Sequence, residues 1–186
     1  STNGIYLDDG ECGVTVTGNV FFRVGGASQG AVFVNGGHEH RFENNIFIQC
    51  PVCVGLALWS DASWLSQFGP GTLWERRLLE AVDIRIPPYS TRYPILAGFY
   101  GAPQVTSTNL IGTNLAVDCT VLHSGQSGWC TLGTNWQTTG DPGFLDAAHE
   151  DWTLRMDSAV FQALPGFQPI PFHGIGPMET PGPLTK

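Results

Sequence analysis

Two stretches decide the fold. Gly4–Val24 reads GIYLDDGECGVTVTGNVFFRV, and Gly30–Cys50 reads GAVFVNGGHEHRFENNIFIQC. They align without a gap at an offset of 26 residues, with Gly4 on Gly30, Gly10 on Gly36, Asn19 on Asn45 and Phe21 on Phe47. Apolar positions follow the same offset: Ile5 on Ala31, Leu7 on Phe33, Val16 on Phe42, Val20 on Ile46, Phe22 on Ile48. A repeat of this length, rich in β-branched and aromatic residues and broken by glycines, marks a stacked β-coil. One such coil cannot bury its own apolar face, so neighbours must stack on it.

Alternation sets the faces of the coil. Val16 and Phe42 are expected to point inward, and Thr15, Thr17, Arg41 and Glu43 outward. His40 falls at a nominally inward position. Asn19 and Asn45 follow each alternating stretch, with Asn109 in a similar context. Stacked Asn at one corner can bond each other and the turn backbone.

Outward from the repeat, residues 59–96 break the pattern. Thr72-Leu-Trp-Glu75 is a capping box that predicts an amphipathic helix over 72–82. Pro87-Pro88 then ends regular structure, and Tyr89, Arg92 and Tyr93 follow. With Trp59 and Trp64 this insertion is rich in aromatics, which either pack it onto the coils or stack on sugar rings. Residues 103–118 read as strand again. Residues 134–156 read as another coil, turned by Asp141-Pro-Gly and carrying short strands at Phe144-Leu145 and Trp152–Leu154. Phe167, Ile170 and Phe172 are expected to cap the last coil. The fold expected is all-β: one solenoid domain over 1–178 with a single short helical insertion, and a loose tail at 179–186.

Composition narrows the partners. The chain of 186 residues has a charged fraction of only 13% and 24 glycines, as tight corners between buried strands require. A net charge of −8 argues against nucleic acid, which needs clustered Lys and Arg. No apolar run is long enough to span a membrane. The chain has no visible signal peptide and starts almost directly in a strand, as a mature or trimmed product would. Its first coil would present an open edge, to be covered by further N-terminal coils or by a partner chain.

Among the five cysteines, Cys119 and Cys130 flank a loop of turn residues, and a disulfide between them is expected, with the oxidising compartment it implies. Cys50-Pro-Val-Cys53 has CxxC spacing but lacks thioredoxin-like flanks and a second CxxC for zinc, so it reads as two buried thiols. Cys12 sits in the turn GECG.

Several strings, GIYLDD…GVTVTGNVFFRV, RFENNIFIQCP, PPYSTRYPIL, TGDPGFLDAAHEDWTLRMDSAVF and GFQPIPFHGIG, resemble the C-terminal portion of right-handed parallel β-helix proteins of the pectin-lyase-like superfamily. The resemblance covers almost the whole chain. It implies a right-handed parallel β-helix with three sheets per coil, secretion, and a carbohydrate-active neighbourhood. Relatives carry more coils on the N-terminal side.

Candidate chemistry gathers where the two repeats stack, at Asp8, Asp9, Glu11, His38, Glu39, His40, Arg41 and Glu43. At an offset of 26, Asp9 is expected beside Asn35 and Cys12 near His38. Paired carboxylates push one pKa up and serve glycoside hydrolysis, so Asp8 and Asp9 are the candidate catalytic pair, with His38 as shuttle. Glu39, His40, Arg41, Glu43, Trp59, Trp64, Tyr89, Arg92 and Tyr93 are candidate substrate contacts. No cofactor is required; Ca²⁺ on Asp8, Asp9, Glu11 and Glu39 is a lesser alternative, without an EF-hand or nonapeptide motif. A lyase would want basic residues near the site, and the single Lys is Lys186. The expectation is a secreted glycoside hydrolase-like protein acting on a polysaccharide. The alternative is a non-catalytic carbohydrate-binding or assembly module.

Overall fold

The computed structural model describes residues 2–94, 96 and 109–175. The expected tail at 179–186 and the strand character assigned to 103–108 lie outside the described residues.

Twelve short strands build three parallel four-stranded sheets. The first holds β1 (Ile5–Leu7), β4 (Val32–Asn35), β7 (Val52–Ala57) and β10 (Val121–Ser124). The second holds β2 (Thr15–Thr17), β5 (Arg41–Glu43), β8 (Asn109–Gly112) and β11 (Cys130–Leu132). The third holds β3 (Val20–Phe22), β6 (Ile46–Ile48), β9 (Leu115–Val117) and β12 (Trp136–Thr138). The chain visits the sheets in rotation, one strand each per coil, an arrangement compatible with a parallel β-solenoid. Pairing confirms the repeat in the second and third sheets: Val16 faces Phe42, and Phe21 faces Phe47. Val16 and Phe42 are buried, whereas Thr15, Thr17 and Arg41 are exposed and Glu43 is half-buried, as alternation predicts.

The first sheet departs from the repeat. There Ile5 pairs with Val32 and Leu7 with Val34, one residue beyond the offset of 26. The extra residue lies in the turn 8–14, where Asp9, Gly10 and Gly13 all take positive φ. This slip moves Asp8, not Asp9, beside Asn35.

At the corner between the second and third sheets runs an asparagine ladder. Asn45 Oδ1 accepts from the Asn19 backbone and side chain, at 3.0 and 3.1 Å. Asn114 Oδ1 accepts from Asn45 in the same way, and Asn135 Oδ1 from Asn114. The third rung is therefore Asn114, not Asn109. Asn109 opens β8 and accepts instead from the His40 backbone N–H. Beside the ladder Phe21 stacks on Phe47, centroids 4.8 Å apart and planes within 10°. Such a pair contributes about 0.5–1.5 kcal/mol beyond burial.

Two cores result. One fills the solenoid, from Leu7 and Val16 through Phe42, Phe47 and Ile111. The other lies on the outer face of the third sheet, where Ile46, Ile48, Leu115 and Val117 meet Phe144, Leu154, Val160, Leu164, Phe167 and Ile170. Strands buried on both faces explain the unbroken apolar runs IFI and LAV. Phe167 and Ile170 thus cover the side of the third sheet rather than the end of the last coil, and Gln168 is tied to Asn44 through N–H···Oδ1 and Nδ2···O bonds.

Three further expectations need correction. Residues 134–156 are not a coil: β12 completes the fourth coil, and β13 (Phe144–Asp146) pairs antiparallel with β14 (Asp151–Leu154), before α4 (Val160–Ala163). The fourth coil comes earlier, through the Cys119–Cys130 segment. The insertion holds more than one helix. The α1 helix (Asp61–Phe68) is capped by Ser60, whose side chain accepts from the Ser63 N–H. The expected helix begins as predicted, with Thr72 Oγ1 accepting from the Glu75 N–H and Glu75 Oε2 from the Gly71 N–H. It runs as α2 (Leu73–Glu75) and then a π-helix over Arg76–Ala81. The α3 turn (Tyr89–Arg92) follows. Finally, Cys119 and Cys130 are not bonded; all five cysteines are free thiols. Cys130 belongs to the second sheet, whereas Cys119 precedes the first-sheet strand β10 and lies against Cys50 and Cys53.

Candidate functional site

The predicted site forms where the first sheet turns into the second, beneath the insertion. Its centre is a string of polar contacts on the outer surface. Trp59 Nε1 donates to Asn35 Oδ1 at 3.0 Å, and Asn35 Nδ2 donates to Asp8 Oδ1 at 2.8 Å. The Asp9 backbone N–H donates to the same oxygen at 2.9 Å, and the Tyr6 hydroxyl stands close enough to Asp8 to help stabilise its charge. Asn35, foremost, with the Asp9 N–H and Tyr6, holds the Asp8 carboxyl below the usual carboxylate range, against a smaller opposing effect of desolvation. Desolvation and the neighbouring Asp8 push Tyr6 up. The Tyr6 ring is 49% exposed and rests on Phe33, centroids 5.2 Å apart. The pairing of Asp8 with Asp9 therefore does not make Asp8 a raised-pKa acid. Asp8 stays an ionised acceptor at neutral pH.

Both histidines sit deeper. His40 is fully buried, and its Nδ1 accepts from the Val14 N–H at 3.2 Å while Nε2 lacks a hydrogen-bond partner among the described residues. Burial lowers its pKa to about 4. His38 lies under the insertion, its ring 5.3 Å from that of Trp64, and burial lowers its pKa while Glu39, 3.7 Å from Nδ1, partly opposes. The roof is aromatic. Trp64 and Phe68, one helical turn apart on α1, are buried with rings 4.4 Å apart, and Trp59 stacks on Phe68. The floor is glycine. A Cβ on Gly36 would stand 2.7 Å from the Trp59 ring, and one on Gly37 would run into the Glu11 carbonyl. Close approach of the roof therefore requires Gly36, and close approach of the neighbouring turn requires Gly37.

Structure thus brings together Asp8, Asp9 and Trp59, with His38 buried nearby against Trp64 of the roof. Arg41 and Glu43 lie apart, on the outer face of β5, joined by a two-pronged ion pair at 2.8 and 3.1 Å. Tyr89, Arg92 and Tyr93 lie on or beside α3 and are exposed; no contact among the described residues joins them to Asp8. Among the described residues no three His, Cys, Asp or Glu side chains converge as metal ligands. No helix among them is long and apolar enough to cross a membrane.

Sequence reasoning missed Tyr6, and placed Asn35 only as a neighbour of Asp9, not as a site residue bonded to Asp8. Their signal was alternation: both are outward positions on strands that flank Asp8. It also missed a second depression, a cleft of about 200 Å³ between the ends of the third-sheet strands and the β13–β14 hairpin. Phe22 and Trp152 line it with rings 4.9 Å apart, and Arg23, Gln49 and Asp118 edge it.

Comparison with known proteins adds no identity: no family model, curated protein or solved structure matches the chain.

Proposed function

We propose that the protein is a right-handed parallel β-helix of the pectin-lyase-like kind, secreted, whose first-sheet corner holds a neutral glycan. The observation that carries this reading is the string Tyr6–Asp8–Asn35–Trp59, exposed at Tyr6 and Asp8 and half-buried at Asn35 and Trp59. A half-exposed aromatic ring beside an ionised acceptor and an amide suits a hydroxyl-rich, partly apolar ligand: the ring covers C–H faces, and the polar atoms take hydroxyls. The net charge of −8 disfavours a polyanionic chain such as a uronan. The test is calorimetric titration with neutral and uronic-acid oligosaccharides, using Asp8→Ala and Tyr6→Ala. Binding of a neutral oligosaccharide that both substitutions weaken at least tenfold supports the reading. Binding that survives both sinks it.

Glycoside hydrolysis through the adjacent carboxylates is the second reading, favoured by one observation. The low pKa of Asp8 fits a base or nucleophile, which leaves Asp9 or Glu11 to supply the proton. Product analysis on the oligosaccharide that binds separates the two. New reducing ends, lost in Asp8→Asn, mark an enzyme; an intact ligand marks a binding module.

A further inference from the structure

Cys50 and Cys119 occupy equivalent places at the corner between the third and first sheets. Each follows a residue in the left-handed region, Gln49 and Asp118, both at φ 52. Each thiol donates to the carbonyl two residues back, Ile48 at 3.5 Å and Val117 at 3.4 Å. Val52 of β7 pairs with Val121 of β10, and both lie two residues further on. The two cysteines therefore stand on adjacent rungs of one parallel sheet edge, about 4.8 Å apart along the stack. Their thiols are within hydrogen-bonding reach of each other. Disulfides form between residues whose Cα atoms are roughly 4.4–6.8 Å apart with side chains converging. Cys53 also touches Cys119, but it lies within β7, out of register with it.

We propose that Cys50–Cys119 is a disulfide site, a staple that closes the chain around the whole third coil and its insertion. The span is the same 69-residue step that separates Asn45 from Asn114. Within the third coil, β7 pairs with β4 before the insertion, whereas β8 and β9 must find β5 and β6 after it. Closing that long excursion carries an entropic penalty that a cross-link at its base removes from folding.

Oxidised glutathione supplies the oxidising equivalents. Cys119, the more exposed thiol, loses its proton, attacks the glutathione disulfide and releases one glutathione thiolate. Cys50 then loses its proton and attacks the Cys119 sulfur, releasing the second. One protein disulfide and two glutathione thiols result, with both protein protons passed to the released thiolates or to solvent. The bond to Cys50 lowers the Cys119 pKa, but contact with Cys53 and burial outweigh it and raise the value to about 12, so closure should quicken as pH rises from 7 to 9.

The test treats the full chain with oxidised glutathione at mildly alkaline pH, blocks remaining thiols in denaturant and maps an unreduced digest by mass spectrometry. Three free thiols out of five, and a peptide pair linking 50 with 119, are expected. The midpoint of thermal unfolding should rise by roughly 5–15 °C over the reduced chain. Cys50→Val, which copies the first coil's Val24 at the same corner, should fold and lose this response. Cys53→Ala should keep the link. Five free thiols after oxidation, a 53–119 or 119–130 link, or an unresponsive midpoint would overturn the proposal.

Discussion

Two corners of the same solenoid are built on opposite rules. Where the second sheet turns into the third, one residue type recurs on every rung: Asn19, Asn45, Asn114, Asn135. Where the first turns into the second, only a glycine recurs, Gly10 on Gly36, and the polar side chains do not. Asp8 stacks on Asn35, the turns differ by one residue, and the next rung leaves the solenoid for the insertion. A repeated residue satisfies its copies and adds no chemistry to the surface. Unlike neighbours leave polar atoms facing outward, and the candidate site is made of them.

The largest effect should come from comparing asparagines at the two corners. Asn45, itself fully buried, accepts from two donors of the half-buried Asn19 and donates to the Val16 and Glu43 carbonyls and to Asn114. Asn45→Ala leaves the half-buried Asn19 N–H and the buried Val16 carbonyl without these partners and opens a hole at a fully buried position. It should destabilise by roughly 4 kcal/mol, since each orphaned buried group costs about 1–3 kcal/mol. Asn35→Ala removes two bonds at a half-buried position where water can replace them, and should lose about 1 kcal/mol. Urea unfolding of both variants measures the contrast. Equal losses would mean that the ladder holds the fold no more firmly than the site does.

The next effect is a pH dependence that begins at His40, the last residue of the first-to-second-sheet corner before β5. Its folded pKa of about 4 lies below the ordinary 6.5, because burial disfavours the imidazolium. Between these values the unfolded chain binds the extra proton. Stability therefore climbs with pH from 4 to 6.5 and then levels off. A displacement of this size corresponds to roughly 3 kcal/mol across the window. His38, also lowered by burial, adds in the same direction. Below pH 4 the lowered Asp8, Asp141 and Asp151 carboxyls begin to protonate, and stability falls further. Urea midpoints at pH 4.5 and 7 should differ for the parent chain, and by clearly less for His40→Gln.

How much of this was legible follows the same division. The 26-residue repeat announced two coils, their faces and the first rungs of the ladder, because identical residues in register are visible as identity. The fourth coil was not seen. Its rungs lie 21 residues from the third, its first-sheet strand reads VLHS, and flanking cysteines drew attention to a disulfide that would have joined two different sheets. Asn114 was overlooked for Asn109 because both follow short polar stretches, and only the strand pairing separates them. At the site, one added residue in the turn 8–14 moved the partner of Asn35 from Asp9 to Asp8. A slip of one residue exchanges the two faces of a strand, and no periodicity reports it.

The smallest effect on the solenoid, and the sharpest separation of the two regions, is expected from Trp64→Ala. Trp64 is 3% exposed and packs on Phe68 and His38, so the substitution opens a cavity between α1 and the coil corner. Losses for a core tryptophan run to about 3–5 kcal/mol, but only where the whole fold depends on the contact. Here no strand of the three sheets lies in α1, and the sheets pair on either side of the insertion. The loss should fall on docking of the insertion, as local opening rather than global unfolding. Limited proteolysis should cut within 61–82 many times faster than in the parent chain, while far-ultraviolet dichroism of the β structure melts at nearly the parent temperature. A midpoint that falls in step with proteolysis would mean that insertion and solenoid fold as one unit, and that the candidate site rests on the fold as firmly as the ladder does.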